Sequence, residues 1–278
     1  NLGVVLGEST QGGSEVKEVS IVGTYTMDKS HAVTVKIPFS DSGVLEPESV
    51  FVDWKERRIF ISGQSPHIFE TSFTVYSLPG ASNFGGQATP EIIRWAQRLA
   101  EDKQTSVLLQ LQLSDSFRIR KKRVSQLIEA YVNEKDEYHL NATMGMGTEG
   151  SSFAQRVWVN SYAKPYVWKN SSIKCTKVYS QYIATSLQRG LSLEGITAAR
   201  ECALDARAQR EGKDPFSIRA SLLSNQNAKI LWDCHSMYLE NKKTGTTGLA
   251  VASTPLGVGI SKSVQVSIVV RTETCVEI

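Results

Sequence analysis

The chain has 278 residues, enough for one large domain or two medium ones with cores of their own. Hydrophobic residues make up 41% and charged residues 21%, ordinary globular fractions that argue against a disordered chain. No apolar run approaches the roughly 20 residues that span a bilayer, and the net charge is only +3.

Residues 1–14 are rich in Gly and Ser and read as a flexible arm preceding a single unit over 15–278. The first fifteen residues have no basic start and a five-residue apolar run at most, so a secretory leader is not expected there. Period-2 alternation then predicts strands over Val16–Met27 and Ala32–Phe39. Val50–Trp54 and Ile59–Ser62 are joined by the polar connection Lys55-Glu56-Arg57-Arg58, and His67–Leu78 alternates again. The first quarter therefore reads as an antiparallel meander with one buried face.

Residues 79–88, rich in Gly, form the clearest loop and a candidate sub-boundary. Thr89-Pro90-Glu91 then supplies an N-cap, a proline at the first helical position and an acid in the first turn, with Ile92, Ile93, Ala96, Leu99 and Ala100 as the apolar stripe. Thr105–Leu113 alternates as a strand. Val124, Leu127, Ile128, Tyr131 and Val132 fall at helical spacing and predict a helix over 121–134. Glu137–Met144 is strand-like.

Residues 150–193 contain no Asp or Glu but carry Arg156, Lys164, Lys169, Lys174, Lys177 and Arg189. The same stretch holds Phe153, Trp158, Tyr162, Tyr166, Trp168, Tyr179 and Tyr182, and reads as strands over about 153–163, 165–169 and 173–185. Its +6 leaves −3 for the remainder of the chain, so charge is segregated. Ala-rich Leu193–Arg210 is a helix closed by Gly212, and Asp214-Pro215 caps a third long helix running towards Leu239. After a turn at Lys242–Gly248 the chain ends in strands, including Val264, Val266, Ile268 and Val270 in alternation. The whole is an α+β pattern, an antiparallel β-rich, sandwich-like core with three to four inserted helices, whose terminal strands are expected to share a sheet.

Two segments suggest binding. Cations interleaved with rings suit a single-stranded nucleic acid, whose phosphates attract charge while its bases stack. That points to Arg156, Trp158, Lys164, Tyr166, Trp168, Lys169, Lys174 and Lys177. Arg118, Arg120, Lys121, Lys122 and Arg123 add a second cationic run, at a predicted helix start where the macrodipole disfavours positive charge.

Signals for chemistry are sparser. Gly145-Met146-Gly147-Thr148-Glu149-Gly150 matches the spacing of a dinucleotide fingerprint. Such a site needs a following helix and an acid some 20 residues on, whereas a strand-like segment follows and the next acid is Glu194. Gly257–Lys262 lacks the phosphate-loop spacing. Asp233-Cys234-His235 places a thiol, an imidazole and a carboxylate together, but neighbours on a helix point about 100° apart. A distant pairing such as Cys202 with His235 stays open. No His or Cys pair has zinc-ligand spacing, and the four scattered cysteines favour reduced thiols in the cytoplasm.

The resulting expectation is a non-enzymatic, self-assembling protein, a homo-oligomer that holds RNA or another polyanion, with the texture of a virus coat or nucleocapsid protein and a cytoplasmic or virion location. No cofactor is expected. One alternative is a matrix-type protein that lays Arg118–Arg123 on an anionic membrane surface. The other, from a different class, is a thiol- or nucleotide-dependent enzyme.

Overall fold

Alternation along the strands sorts the chain into two hydrophobic cores, each between a sheet and helices. The computed structural model describes residues 3–5, 14–24, 27–41, 47–62, 71–78, 89–147, 158–180, 185, 193–241, 246–256 and 260–270. The loop 79–88 and Arg156 lie outside these residues.

The larger sheet contains β1 (Gly3–Val5), β2 (Ser14–Val22), β3 (Val33–Ile37), β8 (Ser125–Val132), β9 (Glu137–Gly147) and β10 (Asn170–Ser180), in the order β1-β2-β10-β9-β8-β3. The smaller contains β4 (Ser49–Asp53), β5 (Arg58–Ser62), β6 (Thr74–Leu78) and β7 (Val107–Gln110), in the order β6-β5-β4-β7. Helices α1 (Thr89–Lys103), α2 (Leu113–Ile119), α3 (Glu194–Glu211), α4 (Pro215–Ser221) and α5 (Asn225–Asn241) join a helical turn over 158–161. The fold is thus α+β, with sheet layers covered by helices.

Both sheets are mixed. β9 runs parallel to β10, and β5 runs parallel to β6; every other pairing between the described strands is antiparallel. The expected antiparallel meander in the first quarter therefore holds for β4 and β5 but not for β6. A parallel pair needs a crossover, and 148–169 supplies it between β9 and β10, with the turn over 158–161 and fully buried Trp158.

Four further expectations change. The segment 121–134 is strand β8, because Val124, Gln126, Ile128, Ala130 and Val132 are the buried set, at period 2. Among the described residues of the acid-free stretch there is one strand, β10, and residues 158–161 are a helical turn in place of the strand expected over 153–163. The third long helix is broken at Leu222–Ser224 into α4 and α5. The terminal strands do not share a sheet, since β11 (Thr246–Leu256) and β12 (Ile260–Val270) pair only with each other. Within the expected arm, Gly3–Val5 pairs with Val19–Ile21 of β2.

The α3 helix lies directly on β8. A Cβ at Gly195 would crowd Gln126 Oε1 and stand 2.8 Å from Ile128 Cδ1, so the glycine lets α3 approach β8 without moving those two side-chain ends. Ile196, Ala199, Ala203, Leu204 and Ala208 complete the buried face, and Gly212 closes the helix in the left-handed conformation at φ 62°. In the smaller unit, Ile92, Ile93, Ala96 and Ala100 of α1 pack on Val50, Val52, Ile59 and Ile61.

Candidate functional site

In a sheet with parallel strands, the carboxyl ends are where a ligand finds a crevice, because the chain departs there into a crossover. β9 and β10 end side by side at Gly147 and Ser180. The Gly147 N–H donates to Thr185 Oγ1 at 2.8 Å, and Thr185 is buried. Two residues earlier, Gly145 lies against the Ser125 side chain of β8, where a Cβ would crowd the Ser125 hydroxyl.

Thr185 also bridges in parallel to Lys122, which brings the cationic run to the same end of the sheet. Acids from elsewhere in the chain neutralise that run. Arg120 is buried and donates to Glu48 at 2.7 Å, and Lys122 donates to Asp41 at 2.8 Å and to the Phe117 carbonyl at 2.9 Å. Arg123 pairs with Glu194 at 3.1 Å, while Lys121 stands 4.0 Å from Glu91. Arg118 is largely exposed, 3.8 Å from Asp115. The run is a junction between the two units rather than an open basic patch.

The residues proposed for nucleic acid are dispersed. Lys164 and Lys169 are exposed and Lys174 is half-buried, whereas Trp158, Tyr166 and Lys177 are buried and offer no face to a base. Trp168 is half-buried, stacks on Tyr138 at 4.9 Å and donates to the Ala163 carbonyl at 2.7 Å. Tyr166 donates to Glu201 at 3.0 Å, and Arg219 reaches the same carboxylate at 2.9 Å and Asp205 at 2.6 Å. Burial, reinforced by Glu201, pushes the Tyr166 phenol above its ordinary range. The rings are core, and the acids this stretch lacks come from α3.

Of the chemical signals, His235 is stacked on Phe216 at 3.7 Å, with Asp214 occupied as the cap of α4. Cys202 is exposed on α3 and Cys175 is buried in β10; the Cys234 side chain lies outside the described residues. One polar pair had no signal in the sequence. His139 Nδ1 lies 2.7 Å from Ser172 Oγ, both buried, on adjacent parallel strands whose pairing spacing does not reveal. Gly145 and Gly147 are the end of β9, and residues 148–157 lie outside the described set, so the helix that a dinucleotide fingerprint requires directly after the glycines is not among the described residues.

No protein-family model matches the chain, and no curated protein matches it. Solved structures do resemble it. Quinoline 2-oxidoreductase from Pseudomonas putida 86 aligns with a TM-score of 0.71 and 13% identity, over 92% of this chain and 40% of that one. Aldehyde oxidoreductase from Desulfovibrio gigas gives 0.66 and 13%, over 86% and 32%. A Cu,Mo-CO dehydrogenase gives 0.63 and 12%, over 86% and 39%. At these identities the shared property is the fold, and the chain spans between a third and two fifths of those chains.

This likeness overturns the expectation of a coat, nucleocapsid or matrix protein, and with it the expectation that the chain is not an enzyme: the fold is one that oxidoreductases carry. Among the described residues no three His, Cys, Asp or Glu side chains converge as metal ligands. They therefore do not fit a directly ligated copper or molybdenum, and no step passes through one. No helix among them is long and apolar enough to cross a membrane.

Proposed function

We propose that this chain is part of an oxidoreductase, and that the carboxyl end of the β9–β10 pair is the part of the fold that faces substrate or cofactor. The observation that carries the reading is the parallel pair itself, set within otherwise antiparallel neighbours and ending at Gly147 and Ser180. The fold likeness to enzymes acting on aldehydes, quinoline and carbon monoxide supports the class. Gly147 and Thr185 hold the end of β9 in place, and Lys122 and Arg123, anchored by Asp41 and Glu194, flank it.

The substrate class proposed is a small aldehyde or aromatic N-heterocycle that gives up two electrons. Residues 15–278 act as one unit, since the Arg120–Glu48 pair ties the junction between the two cores. Cys175 and Cys202, neither of them in a disulfide, suit a reducing, cytoplasmic setting. The test is a dye-linked oxidation assay of the protein that contains this chain, with an aldehyde and with quinoline as electron donors and the dye as the two-electron acceptor. Turnover of either is the expected result; a folded protein that oxidises neither would overturn the proposal.

A further inference from the structure

The outer face of the smaller sheet carries an apolar row that crosses all four strands. Register places Tyr76 of β6 beside Phe60 of β5, Phe60 beside Phe51 of β4, and Phe51 beside Leu108 of β7. The rings stack along the row, Phe51 on Phe60 at 6.0 Å and Phe60 on Tyr76 at 5.1 Å. Because side chains alternate along a strand, the opposite face holds Val50, Val52, Ile59 and Ile61, already covered by α1. The row is left open, with Phe51 at 39%, Tyr76 at 42% and Leu108 at 65% exposure, and Leu78 beside it at 47%. Burying such a row is favourable, and exposed apolar patches of this kind mark interaction surfaces.

The charges around the row indicate what covers it. On one side it is bordered by Asp53 of β4 directly opposite Arg58 of β5. A two-fold axis parallel to the strands, between β4 and β5, brings a second copy face to face in register. Phe51 then meets the partner's Phe60, Leu108 meets the partner's Tyr76, and Asp53 meets the partner's Arg58, with the reciprocal contacts made by symmetry. Among the described residues Arg58 pairs with Glu56 at 3.3 Å, both side chains substantially exposed, so the pair is weak and readily exchanged. Packed sheets lie about 10 Å apart, a distance that these side chains span.

We propose that this face is a self-complementary dimer interface, occupied by a second copy of the chain. Four strands about 4.8 Å apart form a narrow footprint, smaller than the roughly 800 Å² per partner of a standard interface, so the dimer is weak and reversible. It is independent of the proposed activity.

Analytical ultracentrifugation of the full chain across a wide concentration range tests it. The wild type is expected to shift reversibly from monomer to dimer. Leu108→Lys places a charge in the row and should abolish the shift. Arg58→Asp opposes two carboxylates twice over by symmetry and should weaken association about tenfold, and Asp53→Arg with Arg58→Asp should restore it. Thermal unfolding of each variant separates loss of association from loss of fold. A wild type monomeric at every concentration would overturn the proposal and leave the face to a different polypeptide. So would association that the single charge reversal leaves unchanged, or that the double reversal fails to recover.

Discussion

Arg120 donates through Nε to Glu48 Oε1 at 2.7 Å, and neither side chain is more than 5% exposed. The pair joins the C-terminus of α2 to the entry of β4, with Asp41 3.9 Å from the same guanidinium. Removing one partner of a buried pair strands the other charge. Arg120→Met is therefore expected to cost about 3–5 kcal/mol in chemical denaturation, and adding Glu48→Met should recover much of that loss.

The Gly147 N–H is anchored by Thr185, whose Oγ1 accepts from it at 2.8 Å. Thr185→Val keeps the shape but leaves that buried donor unpaired, at a cost of about 1–3 kcal/mol; Thr185→Ser keeps the acceptor and should stay closer to wild type. Urea midpoints of the two variants check this.

The Tyr138 hydroxyl is buried and has no hydrogen-bond partner among the described residues, in a ring packed against Tyr162 and Trp168. Burial pushes its phenol above the ordinary range. Tyr138→Phe removes an unsatisfied polar atom at almost no change of volume, and is expected to be neutral or to raise stability by about 1 kcal/mol. A loss of more than that in thermal unfolding would show that the hydroxyl has a partner.

Burial holds the His139 imidazole below its ordinary value of 6.5, against a smaller upward pull from Glu137. Between the folded and unfolded values the unfolded chain binds more protons, so stability is intact above about pH 6.5 and falls as pH drops through that value. Replacing the group with His139→Gln should flatten this part of the stability–pH curve, measured by denaturation between pH 5 and 8.

How far the sequence reveals the fold depends on where each signal's partner lies. The start of α1 is legible because the proline, the acid and the buried Ile92, Ile93, Ala96 and Ala100 all sit within Thr89–Ala100, although Thr89 is itself helical and Leu99 of the expected stripe is exposed; the end of α3 is legible from Gly212 alone. β8 is not, because Leu127 and Tyr131 fill in a helical period while Gln126 and Ala130 conceal the period-2 buried set. The parallel pairing of β9 with β10 joins residues 33 positions apart, such as Leu140 and Ile173, which no local pattern encodes. Absence of acids in 150–193 suggests a polyanion surface only while Glu201 is unknown as a neighbour of Tyr166. The glycines of the candidate site are visible in the sequence; their meaning depends on that parallel partner.

The carboxyl end of the β9–β10 pair is the proposed seat of function. The most direct test compares dye-linked turnover of Thr185→Val at the carboxyl end with Lys169→Ala, an exposed residue just before the amino end of β10, each corrected for the folded fraction. The account predicts at least a tenfold loss for Thr185→Val, recovery in Thr185→Ser, and wild-type turnover for Lys169→Ala, since a displaced strand end misplaces whatever binds there. Equal turnover in Thr185→Val and wild type, or a loss confined to Lys169→Ala, would contradict it.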